Sequence, residues 1–131
     1  ALQKEVSKSS AVSDIFLTGF FPPESFPDLY SGAEACVFPA VNEGVGLPVI
    51  EAMATGIPVA CADSGALREI TGGNAVFFDP DNIDQFASAI EKVVTDREFR
   101  EKSIACGVEW TRRFQWDETA SRTVEVIKNC L

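Results

Sequence analysis

Four short apolar runs set the strongest limit on the fold. They are IFLTG (Ile15–Gly19), ACVFPA (Ala35–Ala40), PVACA (Pro58–Ala62) and AVFF (Ala75–Phe78). Each is apolar and of strand length. A run that is apolar at every position has no solvent face, so the strand it forms must be covered on both sides. Helix-like segments fall between the runs. Alternating strands and helices of this kind make an α/β layer structure around a parallel sheet. Ligands of such sheets bind beyond the carboxyl ends of the strands.

The connecting segments read as helices by their punctuation. FPDLYSGA (Phe26–Ala33) is short, and the first dozen residues are helical or frayed. PVIEAMATG (Pro48–Gly56) opens on proline and closes on glycine, the usual asymmetry of a helix. ALREIT (Ala66–Thr71) is long enough for one or two turns. After Phe78 a capping acid precedes Ile83, Phe86, Ala87, Ile90, Val93 and Val94, which share one helix face. A second helix lines up Phe99, Ser103, Cys106, Trp110 and Phe114. A third lines up Trp116, Ala120, Thr123, Val124, Ile127 and Leu131. Both tryptophans read as packing residues.

Composition narrows the function. The 131 residues amount to one domain, and 46% of them are hydrophobic, enough for a sizeable core. Acidic residues outnumber basic ones 20 to 11, giving a net charge of -9. This balance argues against nucleic acid or an anionic membrane surface as partner. Neither a membrane-spanning run nor a signal peptide is visible, and the first residue is Ala1, as in a piece cut from a longer chain. The chain has no histidine, which removes the commonest general base and the usual zinc sites. Cys36, Cys61, Cys106 and Cys130 show no C-x-x-C spacing, and the first two sit in apolar runs as small hydrophobes.

The segment NEGVGLPVIEAM (Asn42–Met53) follows the second apolar run. Pro48 suits the first turn of a helix, so the helix begins near Leu47. Gly44 and Gly46 allow a tight turn and a close approach to a ligand. The amides of Gly46, Leu47 and their neighbours would then face outward at the positive end of a helix dipole, a site for phosphate. No lysine follows, so this is not a Walker A loop, nor is it G-x-G-x-x-G. Glu43 and Glu51 flank the turn. A carboxylate repels phosphate but accepts hydrogen bonds from hydroxyls. A nucleoside diphosphate sugar has the matching layout of sugar, diphosphate and ribose. On chemistry alone, a plain strand–turn–helix connection with Glu51 on a solvated face remains equally open.

The stretch FPAVNEGVGLPVIEAMATGIPVACADSGALREITGG resembles the donor-binding signature of retaining GT-B glycosyltransferases of the sucrose-synthase and mannosyltransferase-like family, glycosyl transferases group 1. The likeness extends through DIFLTGF, FPDLYSGAEACVFPA, GNAVFFDPDN and the FQW that opens the last helix. It implies a Rossmann-like parallel sheet, one half of a GT-B fold. Residues 1–131 would be a partial nucleotide-sugar-binding domain ending in C-terminal helices over 82–131. The parent enzyme would transfer a sugar from a GDP-mannose or UDP-glucose type donor with retention, without metal or other cofactor. Glu43 would be the catalytic position and contact the transferred sugar. Glu51 would hold the ribose, and the backbone of Gly44, Val45, Gly46 and Leu47 would lie along the sugar and diphosphate. The setting would be cytoplasmic, with the missing domain able to place the enzyme at the membrane face. Some positions depart from the family pattern: Val45 replaces a frequent phenylalanine, Asn42 and Ala40 replace serine or tyrosine, and Gln115 replaces a serine or threonine cap.

The resemblance covers only the later part of the second domain. Its first two strands, and the arginine and lysine that neutralise the diphosphate, have no counterpart here. In the order 3-2-1-4-5-6 the absent strands would lie between IFLTG and ACVFPA. The open edges are expected to pair with another copy, close directly on each other, or mark a proteolytic remnant. The piece alone would be inactive. Its partners would be the nucleotide-sugar donor, the missing N-terminal domain and a second copy of itself. Two further readings stand beside this one: a noncatalytic nucleotide-sugar or partner-binding module, and a structural α/β domain whose glycine loop merely turns the chain.

Overall fold

A computed structural model describes residues 2–130. The sheet has three parallel strands in the order β1 (Cys36–Phe38), β2 (Val59–Ala62), β3 (Val76–Phe78). Register pairs Val37 with Ala60 and Cys61 with Phe77. Central β2 is buried at every position, as its unbroken apolar run requires.

The expected strand at 15–19 does not form. No β-structure occurs there, and Phe16 is 81% exposed. The reason is the one that made the sheet order matter. This run has no neighbouring strand, and a lone strand leaves its amides and carbonyls unpaired. The open edge of β1 is therefore not closed by direct contact with IFLTG. The other three runs form strands within their expected spans.

The helices follow the sequence in their spans. They are α1 (Leu2–Val6), α2 (Phe26–Ser31), α3 (Leu47–Ala54), α4 (Gly65–Thr71), α5 (Ile83–Thr95), α6 (Arg97–Thr111) and α7 (Trp116–Asn129). On α5, however, Ile83, Ala87 and Val94 of the expected apolar face are exposed and Ala89 is buried. Side-chain caps start three of them. Ser64 Oγ accepts from Leu67 N–H, Asn82 Oδ1 from Gln85 N–H, and Asp96 Oδ1 from Phe99 N–H. The cap of α5 is thus an asparagine rather than the expected acid. Gln115 precedes α7 without capping it, as its departure from serine or threonine implied.

The core gathers Val49, Ala52, Met53, Val59, Cys61, Leu67, Phe78, Ala89 and Val93. Helix α3 packs on β1, β2 and α6, and α5 packs on β2, β3 and α6. The expected line on α6 holds at Phe99, Ser103 and Trp110 but not at Cys106 and Phe114. Ser103, Gly107 and Thr111 are its buried positions, while Cys106 is exposed. Small residues win because α6 crosses close to α3. A β-carbon on Gly107 would stand 3.4 Å from Met53 Cε. Ser103 Oγ meets its hydrogen-bonding need by donating to the Asn74 carbonyl at 2.9 Å. Trp110 packs against the core as expected, its Nε1–H donating to Ile70 O at 2.8 Å.

Trp116 does not pack, being 81% exposed. Helix α7 has no buried residue, so its apolar line through Val124 and Ile127 lies in solvent. Leu131, the last member of that line, lies outside the described residues. No helix among the described residues is long and apolar enough to cross a membrane.

Candidate functional site

The Asn42–Met53 segment sits where the sheet topology puts ligands. Strand β1 ends at Phe38, the chain turns through residues 39–46, and α3 begins at Leu47. Pro48 stands in the first turn of α3, where a missing N–H costs nothing. Gly46 is the residue before the helix and has φ +82°, a left-handed conformation. Its carbonyl accepts from Val49 N–H at 3.0 Å and Ile50 N–H at 3.4 Å. Among the described residues, the amides of Glu43, Gly44, Val45, Gly46 and Leu47 donate to no backbone acceptor. No acidic side chain occupies the first turn of α3. The first turn of α3 therefore carries no counter-charge of its own at the positive helix end.

The two glycines have different physical reasons. Gly46 is required by its φ and by contact, since a β-carbon there would come within 2.7 Å of Leu67 Cδ2. Gly44 has no such need. Its φ is not positive, and among the described residues nothing lies within 4 Å of where a β-carbon would be. The protein's own packing does not account for a glycine at position 44.

Glu51 projects from the exposed side of α3 and accepts a hydrogen bond from Tyr30 Oη at Oε2, 3.1 Å away. The same hydroxyl lies 3.4 Å from the Pro48 carbonyl oxygen. Tyr30 is half-buried, stacked on Phe26 at 6.2 Å between ring centroids. Burial first, and the Glu51 hydrogen bond second, push its phenol up to about 12. Sequence reasoning missed Tyr30. It lies 21 residues from Glu51, on a different helix, and no periodicity links the two. The available signal was that it is the chain's one tyrosine.

Glu51, Val45 and Leu47 share a largely apolar cleft of about 500 Å³, whose far wall is Ile70, Phe114 and Trp116. A smaller hollow of about 180 Å³ is lined by Gly44, Val45, Ala66, Glu69 and Ile70. Glu43 is half-buried, lines neither space, and makes no side-chain hydrogen bond among the described residues. The structure thus brings Val45, Leu47 and Glu51 to one cleft, and sets Glu43 apart at the entry to the turn. No lysine or arginine lines either space. Arg68, the cation following β2, is committed to both oxygens of Asp63, and that hydrogen bonding holds the Asp63 carboxyl below its usual range.

Known proteins share this arrangement of sequence. The family model described as glycosyl transferases group 1 matches residues 1–110. The chain is 34% identical over 110 residues to O-antigen chain mannosyltransferase B of Escherichia coli, covering 84% of this chain and 29% of that protein. It is 30% identical over 113 residues to the serotype-specific mannosyltransferase WbdA of Escherichia coli, covering 86% of this chain and 14% of that protein. It is 33% identical over 114 residues to D-inositol 3-phosphate glycosyltransferase of a Nocardioides strain, covering 83% of this chain and 25% of that protein. The chain therefore spans less than a third of the length of these curated relatives. The matched region contains β1 to β3, the Gly46 turn and most of α6, and on this evidence the chain belongs to the glycosyl transferases group 1 family.

Proposed function

We propose that the protein carrying this chain transfers a glycosyl group from a nucleotide-linked sugar to an acceptor with retention, and that this chain supplies part of the donor site. One observation carries the reading. The amides of residues 43–47 lead without protein acceptors into the left-handed Gly46 and the amino end of α3, with Glu51 one turn further on. Preorganised amides at a helix end stabilise charge that develops on a departing diphosphate. The open space at Gly44 admits the ligand close to the backbone.

In this reading Glu43 contacts hydroxyls of the transferred sugar and Glu51 holds the ribose. Gly44, Val45, Gly46 and Leu47 border the sugar and diphosphate through their backbone. The reaction takes no metal. The site's shortage of cations is made up from outside the chain, which alone is inactive for that reason. Two of the similar proteins are named as mannosyltransferases, which favours a mannosyl donor over a glucosyl one. The reaction takes place in the cytoplasm or at the cytoplasmic face of the membrane.

The test is substitution in the intact protein. Glu43→Ala is expected to lower kcat by about 10²-fold, the scale for losing one preorganised contact at the reacting centre. Glu51→Ala is expected to act mainly on donor KM, because the ribose contact is the same in ground and transition states. Unchanged turnover and donor affinity in both variants would leave the turn as a structural connection only.

A further inference from the structure

We propose that Tyr30 is a positioning residue for Glu51, fixing which carboxylate oxygen remains free to receive the ribose of a nucleoside diphosphate. The inference rests on the reading of Glu51 given above and adds a residue to it. The geometry is direct. Tyr30 Oη lies 3.1 Å from Glu51 Oε2 and 3.4 Å from the Pro48 carbonyl oxygen. The hydroxyl has one proton and two acceptors, and the charged, nearer carboxylate takes it. With Oε2 engaged, Oε1 is left to accept from a ligand hydroxyl.

Tyr30 can do this because its own position is set. Its ring stacks on Phe26, which in turn lies 6.1 Å from Phe21 between centroids, and it packs against the hydrophobic core. Glu51, by contrast, is an exposed side chain on a helix surface and has no other hydrogen-bond partner from its carboxylate among the described residues. Without Tyr30 the carboxylate would sample several rotamers, and binding would have to select one. The Tyr30 hydroxyl also lies 3.4 Å from the Pro48 carbonyl oxygen, which places it, and the carboxylate it donates to, beside the first turn of α3 that would face the diphosphate.

The experiment measures binding of UDP and GDP, each beside its 2′,3′-dideoxy form, by calorimetry on the intact protein. The variants are Tyr30→Phe, Glu51→Gln and the pair. Tyr30→Phe keeps the ring and its packing, and thermal unfolding checks that the variant is folded. The expected result is a three- to tenfold weaker affinity for the ribonucleotide with Tyr30→Phe, the scale of about one hydrogen bond, and no more than a twofold change for the dideoxy form. Glu51→Gln should remove the ribose preference, and the double variant should be no weaker than Glu51→Gln alone. If Glu51→Gln lowers ribonucleotide affinity while Tyr30→Phe leaves it unchanged, or if both forms weaken equally, the positioning role of Tyr30 falls and the reading of Glu51 stands. If wild type shows no preference for the ribose form, or binds neither nucleotide, the reading of Glu51 falls and takes this one with it.

Discussion

Gly46 lies so close to Leu67 that a β-carbon on it would stand 2.7 Å from the leucine Cδ2. Leu67 is fully buried on α4, so the turn before α3 is pressed onto the next βα unit. The loop's shape is thereby set by the core as well as by its own residues. Gly46→Ala is expected to cost about 1–3 kcal/mol, from the left-handed φ and the displaced leucine together. Gly44→Ala should stay within about 0.5 kcal/mol, because that position is open and its φ ordinary. Urea denaturation checks both. If Gly44→Ala also weakens sugar-nucleotide binding, its glycine serves the ligand rather than the fold.

Tyr30 is the chain's one tyrosine, so tyrosinate absorbance near 295 nm reports it alone. Its ionisation should centre near pH 12. Glu51→Gln should lower it while leaving it above its ordinary value, since the charge opposing the phenolate is removed but burial, the larger cause, is kept. The folded state favours the neutral phenol. Its contribution to stability is therefore complete below about pH 10 and lost as pH rises through about 12.

Trp110 closes the carboxyl end of α4. Its Nε1–H bonds to Ile70 O, and its ring leaves no room for a β-carbon on Gly72, where φ is +57°. Trp110→Phe should cost about 1–3 kcal/mol by orphaning the carbonyl and thinning the contact. Gly72→Ala should be at least as damaging, because backbone strain and clash coincide. Chemical denaturation followed by far-ultraviolet circular dichroism would compare the two.

The cysteines separate by environment. Cys61 is fully buried on β2, and burial pushes its thiol up to about 12. Cys106 and Cys130 are exposed. A thiol reagent at pH 8 should modify the exposed pair promptly and reach Cys61 only after denaturant is added. Prompt labelling of Cys61 in the folded protein would mean that β2 is not the sealed central strand described.

The sequence by itself determined the local order of the chain. Strands β1 to β3 and every helix after Phe26 were legible, because apolar period, proline and glycine act within a few residues of one another. The turn at Gly46 was legible for the same reason. Tertiary structure alone decided the rest. IFLTG has the composition of a strand, but a strand exists only with a partner, and among the described residues it pairs with none. On α6 the close approach of α3 favours Gly107 over Cys106 as a buried position. Trp116 and the apolar line of α7 look like core in sequence, yet nothing described packs over them. Tyr30 and Glu51 meet only because the tertiary fold brings one residue of α2 up to the exposed side of α3. Such pairings depend on distances between elements, and no spacing along the chain encodes those.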